Sequence, residues 1–364
     1  MKTFLQLNLK KDILSVLNRL KFKEVFEVQE KVIPLVMQGK NVVFTSRTGS
    51  GKTLAYLLGF LGKINRKFGI QMIVLVPTRE LCIQVGKEIQ SICDPLDLSV
   101  GILYGGREIS GDYKTTSKKN QIIVGTPGRL IQHINSKQIK VGDTRLIVFD
   151  ESDQMFDDGF YDECVYVRKR ISDSAQVVLA SATITGKVTA FINTIIGPHE
   201  FLNVGLQIPK NIVQEKIFCG MLDKNFLLLK IFSDKKFKRI IIFSNTRQKC
   251  QGITKFLTDN KIRAKLISGD LSQDNRLNHL NLFKDGSISA LVATDVASRG
   301  LHIEGVDLVV NYDVPTRPEF YIHRIGRTGR TDKKGHTIVF ICPEDEERFR
   351  IIEHNFELDV KDIS

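Results

Sequence analysis

The feature that most constrains this chain is an alternation. Short runs rich in valine and isoleucine, each closed by turn residues, take turns with segments of helical periodicity. Val42–Thr45, Met72–Val76, Ile122–Val124, Leu146–Phe149 and Val177–Ala180 form a first series. Runs that are apolar at successive positions predict strands covered on both faces, and hence a parallel sheet. Leu54–Ile64, Glu80–Cys93 and Arg129–Ile134 read as connecting helices. That alternation leads to an α/β fold.

The pattern breaks near Asn203–Asn211, where Gly205, Pro209 and Lys210 fall together, and then restarts. Ile240–Phe243, Ala264–Ile267, Ala290–Ala293, Leu308–Asn311 and Thr337–Ile341 form a second series. The expected organisation is a first domain over residues 1–204, a linker over 205–212 and a second domain over 213–364. A length of 364 residues suits two domains. The formal net charge of +12 suits a polyanionic partner, although charge alone does not separate that from a merely basic surface. The six cysteines form no C-x-x-C pair and have no zinc-ligand spacing, so they read as reduced thiols. No apolar run approaches the roughly 18 residues of a membrane span. Met1-Lys2-Thr3-Phe4 opens without the apolar core of a secretion signal. The expected location is cytoplasmic.

The first strand leads into Ser46-Arg47-Thr48-Gly49-Ser50-Gly51-Lys52-Thr53, and a helix follows. A strand, a loop of small residues ending in G-K-T and then a helix make a phosphate-binding loop. Gly49 and Gly51 let backbone N–H groups turn toward phosphate oxygens. Lys52 supplies charge to the β- and γ-phosphates, Thr53 offers its hydroxyl to Mg²⁺, and the helix dipole adds attraction. Ser46 replaces the first glycine of the usual pattern. Such a loop needs an acid on a second strand to hold the metal, and Asp150 after Leu146–Phe149 supplies it. Its neighbour Glu151 is assigned to orient the attacking water.

Asp150-Glu151-Ser152-Asp153 resembles the D-E-A-D signature of the DEAD-box family of ATP-dependent RNA helicases, with Ser152 in place of alanine. Other motifs of the family stand in order: Pro77-Thr78-Arg79-Glu80-Leu81, Gly105-Gly106, Thr126-Pro127-Gly128-Arg129 and Ser181-Ala182-Thr183. The second half adds Ser244-Asn245-Thr246-Arg247, Gln273 with Arg276, and Ala293-Thr294-Asp295 through Arg299-Gly300. His323-Arg324-Ile325-Gly326-Arg327-Thr328-Gly329-Arg330 closes the series. The resemblance spans nearly the whole chain. It implies two RecA-like lobes, each a mainly parallel sheet flanked by helices, with the ATP site and the RNA path across the inter-lobe cleft.

The resemblance also distributes roles. Gln29 matches the glutamine that recognises adenine, while Val25-Phe26 replaces the usual Pro-Thr. Phe4 stands where an aromatic packs on the base; ordinary core packing against Ile13, Leu14, Leu17 and Leu20 is the alternative. His302 stands where most members carry an aspartate on the ATP ribose. Arg299-Gly300-Leu301-His302 is similar to a bacterial branch that includes the RNA-degradosome helicase. Arg327 and Arg330 match the arginine fingers that stabilise transition-state charge. Asp153, Ser181, Thr183 and His323 match residues that couple the ATP site to RNA, with Asp153 the expected hydroxyl partner. Thr78, Arg79, Gly105, Gly106, Thr126, Gly128 and Arg129 match the RNA path in the first lobe. Asn245, Thr246, Arg247, Gly269, Arg276 and Thr294 match it in the second. Such residues read the sugar-phosphate backbone and its 2′-hydroxyls, largely without regard to base sequence.

The expected activity is RNA-stimulated ATP hydrolysis with local unwinding of short duplexes, by a monomer that could serve an RNA-processing or degradation complex. An ATP-dependent RNA clamp with little unwinding is the alternative, and a DNA helicase a third.

Overall fold

The computed structural model describes residues 3–46, 50–106, 108–204, 211–234, 236–268, 271–295, 306–329 and 334–364. Contacts divide the chain into two units, Met1–Gly205 and Leu206–Ser364. Of the expected linker, only Asn211 and Ile212 are described, and Ile212 already opens a strand. Among the described residues, no helix is long and apolar enough to cross a membrane.

The first unit holds a seven-stranded sheet, and every pairing in it is parallel. Its strands are β1 (Val42–Thr45), β2 (Met72–Leu75), β3 (Val100–Leu103), β4 (Ile122–Gly125), β5 (Leu146–Phe149), β6 (Gln176–Ser181) and β7 (Glu200–Asn203). They lie in the order β3-β4-β2-β5-β6-β1-β7. Successive side chains alternate between the two faces, as a pleated strand requires. Val42, Phe44, Met72, Val74 and Val148 join one core, with the helices Glu27–Met37, Lys52–Leu61 and Arg79–Cys93. Val43, Ile73, Leu75, Ile147 and Phe149 join the other, with helices Pro127–Asn135 and Tyr161–Arg168. Covering both faces is why these strands are apolar throughout.

The second unit repeats the design. Its strands are β8 (Ile212–Phe218), β9 (Ile240–Phe243), β10 (Ala264–Ile267), β11 (Ala290–Ala293), β12 (Leu308–Asn311), β13 (Gly335–Ile341) and β14 (Lys361–Asp362). Their order is β10-β11-β9-β12-β13-β8-β14, again with parallel pairings.

The sequence pattern does not reveal β3, β7, β8 and β14. Three of these are sheet edges and β8 is next to one. An edge strand is packed on fewer sides, so it lacks the uniform apolar run; Glu200–Asn203 has no fully buried residue. Helices start earlier than expected where a cap allows. The helix expected from Glu80 begins at Arg79, because the Thr78 hydroxyl accepts from the Leu81 N–H at 3.3 Å.

Candidate active site and nucleic-acid interface

Most described candidates lie just past the C-terminal ends of strands, where parallel α/β sheets place their ligands. The phosphate loop follows β1. Its first residue is tied down by the Ser46 N–H, which donates to the Ser181 carbonyl of β6 at 2.9 Å. Ser46 also explains its departure from glycine: its hydroxyl donates to Ser50 Oγ at 2.6 Å and closes the loop on itself. Gly51 has φ +86°, a left-handed conformation that glycine adopts without steric cost. A side chain there would also collide, with a Cβ only 2.3 Å from Gln29 Nε2. Lys52 is buried, and its ammonium folds back to donate to the Ser46 carbonyl at 3.4 Å. Arg47, Thr48 and Gly49 lie outside the described residues, as do Gly269, His302 and Arg330.

Gln29 is 1% exposed, and both ends of its amide are engaged. Oε1 accepts from the Phe26 N–H at 3.0 Å, and Nε2 donates to the Gly51 carbonyl at 3.3 Å. The glutamine therefore joins the start of its helix to the phosphate loop. Phe26, where the family has threonine, is 52% exposed beside Gly51. Phe4 is buried in the first core among Leu7, Ile13 and Leu17, which is the core-packing alternative.

At the end of β5, Asp150 is 3% exposed. Its Oδ2 accepts from the buried Tyr56 hydroxyl at 3.0 Å and its Oδ1 from the Glu151 N–H at 2.9 Å. Burial, with the charges of Asp150 and Glu88 added, pushes the Tyr56 phenol well above its usual range, so it stays a neutral donor. Burial raises the Glu88 carboxyl to about 7, with the Thr53 side chain opposing and the Asp150 charge adding. Neither Tyr56 nor Glu88 belongs to the motifs that single out the site. Tyr56 carried one signal: it stands four residues after Lys52, on the same helix face. Nothing local marks Glu88.

Thr53 and Asp150 offer hard oxygen donors suited to Mg²⁺. Among the described residues, no group of three or more His, Cys, Asp or Glu gathers as a metal cage. A small divalent cation bound by one or two protein oxygens and completed by phosphate and water fits that donor set. Glu151 has φ +50° and ψ +48° at the corner before helix Ser152–Asp157. The left-handed region costs a non-glycine residue roughly 1–2 kcal/mol, and such strain gathers at functional sites.

Asp153 is 3% exposed and sits at a hydrogen-bond junction. Its Oδ2 accepts from the Thr183 hydroxyl at 2.8 Å and the Thr183 N–H at 3.0 Å. The hydroxyl–carboxylate pairing expected from the sequence is present for Thr183. Ser181 instead serves the backbone, accepting from the Asp153 N–H at 3.2 Å and donating to the Thr183 carbonyl at 2.7 Å. Ser152 donates to the Ala180 carbonyl at 3.3 Å, so the hydroxyl that replaces alanine is satisfied in a buried turn.

In the first unit, Arg79 and Gly106 are brought together. Gly106 has φ +87°, and a Cβ there would lie 1.6 Å from Arg79 Nη1. Gly105 and Gly128 face open space, and a Cβ at either would have no neighbour within 4 Å. Thr126 is buried just before Pro127. Arg129 differs from an exposed phosphate donor: it is buried, its Nε donating to Asp112 Oδ2 at 2.6 Å and its Nη2 to the Glu108 carbonyl at 2.9 Å. His133 Nε2 meets the same Asp112 oxygen at 2.8 Å. Arg129 thus anchors the segment that follows Gly105-Gly106.

The second unit is organised around Arg324, which is 1% exposed. Its Nε and Nη2 donate to the two oxygens of Asp295 at 2.6 and 2.8 Å. Nη1 donates to Asn311 Oδ1 and the Asp313 carbonyl, and Nη2 also to Asn245 Oδ1 at 3.0 Å. Asn245 is thereby fixed, its Nδ2 donating to the Val314 carbonyl at 2.8 Å. Arg324 and Asp295 both stand inside sequence motifs, yet the sequence alone assigns neither a role. Thr246 caps helix Arg247–Asp259 by accepting from the Lys249 N–H, and Arg247 is exposed. Arg276, Thr294 and His323 are half-buried, and Arg327 is buried. Gly329 has φ +67° and packs on Ile212, while its carbonyl accepts from Asn211 Nδ2 at 3.1 Å.

A fold and site of this kind define a nucleic-acid-stimulated ATPase of two RecA-like units. Comparison with known proteins makes the class specific. Residues 26–191 match the DEAD/DEAH box helicase family, and residues 223–332 the helicase conserved C-terminal domain. The ATP-dependent RNA helicase CshA of Listeria monocytogenes is 36% identical over 356 residues, spanning 97% of this chain and 68% of that protein. The DEAD-box ATP-dependent RNA helicase CshA of Bacillus subtilis is 37% identical over 354 residues, spanning 96% and 72%. The structure of S. cerevisiae Dbp5 bound to RNA and ADP BeF3 superposes with a TM-score of 0.89 at 28% identity, covering 100% of this chain and 96% of that one. The chain belongs to the DEAD-box family of ATP-dependent RNA helicases.

Proposed function

We propose that the residues gathered at the first sheet hydrolyse ATP when single-stranded RNA is bound, and that this opens short RNA duplexes locally. The observation that supports the reading is the Asp150–Glu151–Asp153 turn, which gathers three carboxylates at one corner, Asp150 and Asp153 buried and Glu151 half-buried. Lys52 and the loop N–H groups bind the β- and γ-phosphates. Thr53 and Asp150 would hold Mg²⁺, which when bound would neutralise charge on the phosphate oxygens. Tyr56 orients Asp150 through its hydroxyl. Glu151 holds the attacking water and takes its proton. Arg327 and Arg330 supply positive charge to the transition state.

Thr78, Arg79, Gly105, Gly106, Thr126 and Gly128, with Thr246, Arg247, Gly269, Arg276 and Thr294, form the RNA path in this reading. Arg129 and Asn245, whose side chains are engaged within their own units, act as positioning residues. Thr183, Ser181 and His323 relay RNA binding to Asp153. The protein works as a cytoplasmic monomer that a larger RNA-degrading complex can recruit; its six free cysteines suit a reducing setting.

Glu151→Gln tests the assignment. Loss of a general base lowers turnover by about 10²–10⁴-fold, so RNA-stimulated ATP hydrolysis should fall by that order while RNA binding in the presence of ATP is retained. Turnover equal to wild type, with and without RNA, would refute the role of Glu151. A short-duplex unwinding assay separates the helicase from an RNA clamp.

A further inference from the structure

The second sheet carries a basic hollow at the end opposite its motif residues. A cavity of about 790 Å³ is lined by Lys238, Arg239, Lys261, Arg263 and Lys284. Lys238 and Arg239 precede β9, Lys261 and Arg263 precede β10, and Lys284 precedes β11. These three strands are neighbours in the order β10-β11-β9, so the topology brings their leading loops together. The backbone knits the loops: the Ile240 N–H donates to the Ser289 carbonyl and the Ser289 N–H to the Arg263 carbonyl, both at 2.9 Å.

The charge on this wall is unbalanced. Asp285 is the one carboxylate on the lining, against five cations. None of the five makes an ion pair among the described residues. Asp307, which lies beside the Lys238–Arg239 turn, spends a carboxylate oxygen on the N–H groups of those two residues. Like charges about 10 Å apart in water repel by roughly 0.4 kcal/mol per pair, and a bound polyanion relieves that repulsion. The wall also offers aromatic surface. Phe237 is half-buried, with the Lys236 ammonium 5.1 Å from its ring centroid. Cations that follow a backbone, interleaved with aromatic faces, are how proteins hold single-stranded nucleic acid without reading its sequence.

We propose that this hollow is a second RNA-backbone site, holding the part of a long RNA that lies outside the motif residues. Four of the five cations are exposed, so the rim is open to a polymer rather than shut around a small anion. The four-residue strands separate the two ends of the sheet by roughly 13 Å, a span that one RNA chain bridges. A strand already held at the motif residues meets the hollow at high effective concentration.

The test is the triple variant Lys238→Gln, Arg263→Gln, Lys284→Gln in the full chain. It is assayed with an RNA just long enough to stimulate ATP hydrolysis fully and with a much longer one. The expected result is unchanged ATPase stimulation by the short RNA, which also reports an intact fold. Affinity for the long RNA should fall about tenfold at low salt, and its log–log salt slope should shrink by about 2, at roughly 0.7 for each phosphate no longer neutralised. Arg263→Lys alone, which keeps the charge, should behave as wild type. Unchanged affinity and slope for the long RNA would overturn the proposal. So would an equal loss on both RNAs, or an effect confined to small anions or acidic proteins. Failure of short-RNA stimulation in the unmodified protein would instead strike at the core ATPase reading.

Discussion

Carboxylates at the two sheets are treated in opposite ways. In the first unit, Asp150 is stabilised by a phenol and a backbone N–H. In the second, Asp295 faces the guanidinium of Arg324, and Asp313 faces Lys224 and Lys249, each at 3.2 Å. A carboxylate already neutralised by a fixed cation has little left for a metal ion or a water. One held by neutral donors keeps its charge available. The contrast separates a carboxylate kept for chemistry from carboxylates kept for architecture, although all three are largely buried beyond strand ends.

The largest effect should come from breaking the second kind. Removing one partner of a buried ion pair costs about 3–5 kcal/mol. Arg324→Met should therefore destabilise the second unit by that order, read as lower hydrogen-exchange protection in β11 and β12. Asp150→Asn should cost only about 1 kcal/mol, the scale of one neutral hydrogen bond, while abolishing ATP turnover. Comparable destabilisation by the two would erase the distinction.

Acid sharpens the same contrast. Burial raises the Asp313 carboxyl, but the Ser244 hydroxyl, the Asn245 N–H and the two lysines outweigh it and hold it below 3.8. A depressed carboxyl stabilises the fold above its unfolded value and loses that contribution as pH falls through its folded value. Asp313→Asn should thus be less stable than wild type at neutral pH, and the gap should close on acidification below about 3.8. A pH-independent gap in denaturation midpoints would count against the ionic account.

Tyr56→Phe removes one neutral donor from Asp150. Stability should drop by about 1 kcal/mol, and the Mg²⁺-dependent gain in ADP affinity, measured calorimetrically, should fall several-fold while metal-free affinity holds. The smallest effect on stability belongs to Gly105→Ala and Gly128→Ala, whose added methyls meet nothing. Denaturation midpoints should move by less than about 0.5 kcal/mol. Weaker RNA binding in these variants would then report the ligand itself.

Much of this is legible in the chain because local pattern and local structure coincide. Interior strands such as Ile240–Phe243 are apolar at every position, and the apolar run and the strand share their boundaries. The phosphate loop and the Asp150–Glu151 corner are contiguous, so their motifs carry their own context. What stays hidden depends on partners far along the chain. The bond from Tyr56 to Asp150 spans 94 residues, and that from Arg324 to Asn245 spans 79. Arg129 shows the same limit from the other side. Its motif position suggests a ligand contact, but Asp112, seventeen residues upstream, claims its guanidinium.

The grip of Gln29 on the Gly51 carbonyl has a consequence for nucleotide choice. An amide that rests on the loop itself responds to whether the loop is filled, whichever base hangs from the sugar. Replacing Gln29 should then weaken inosine and guanosine triphosphates as much as adenosine triphosphate; a penalty confined to adenosine would mean that the amide leaves the loop to read the base edge.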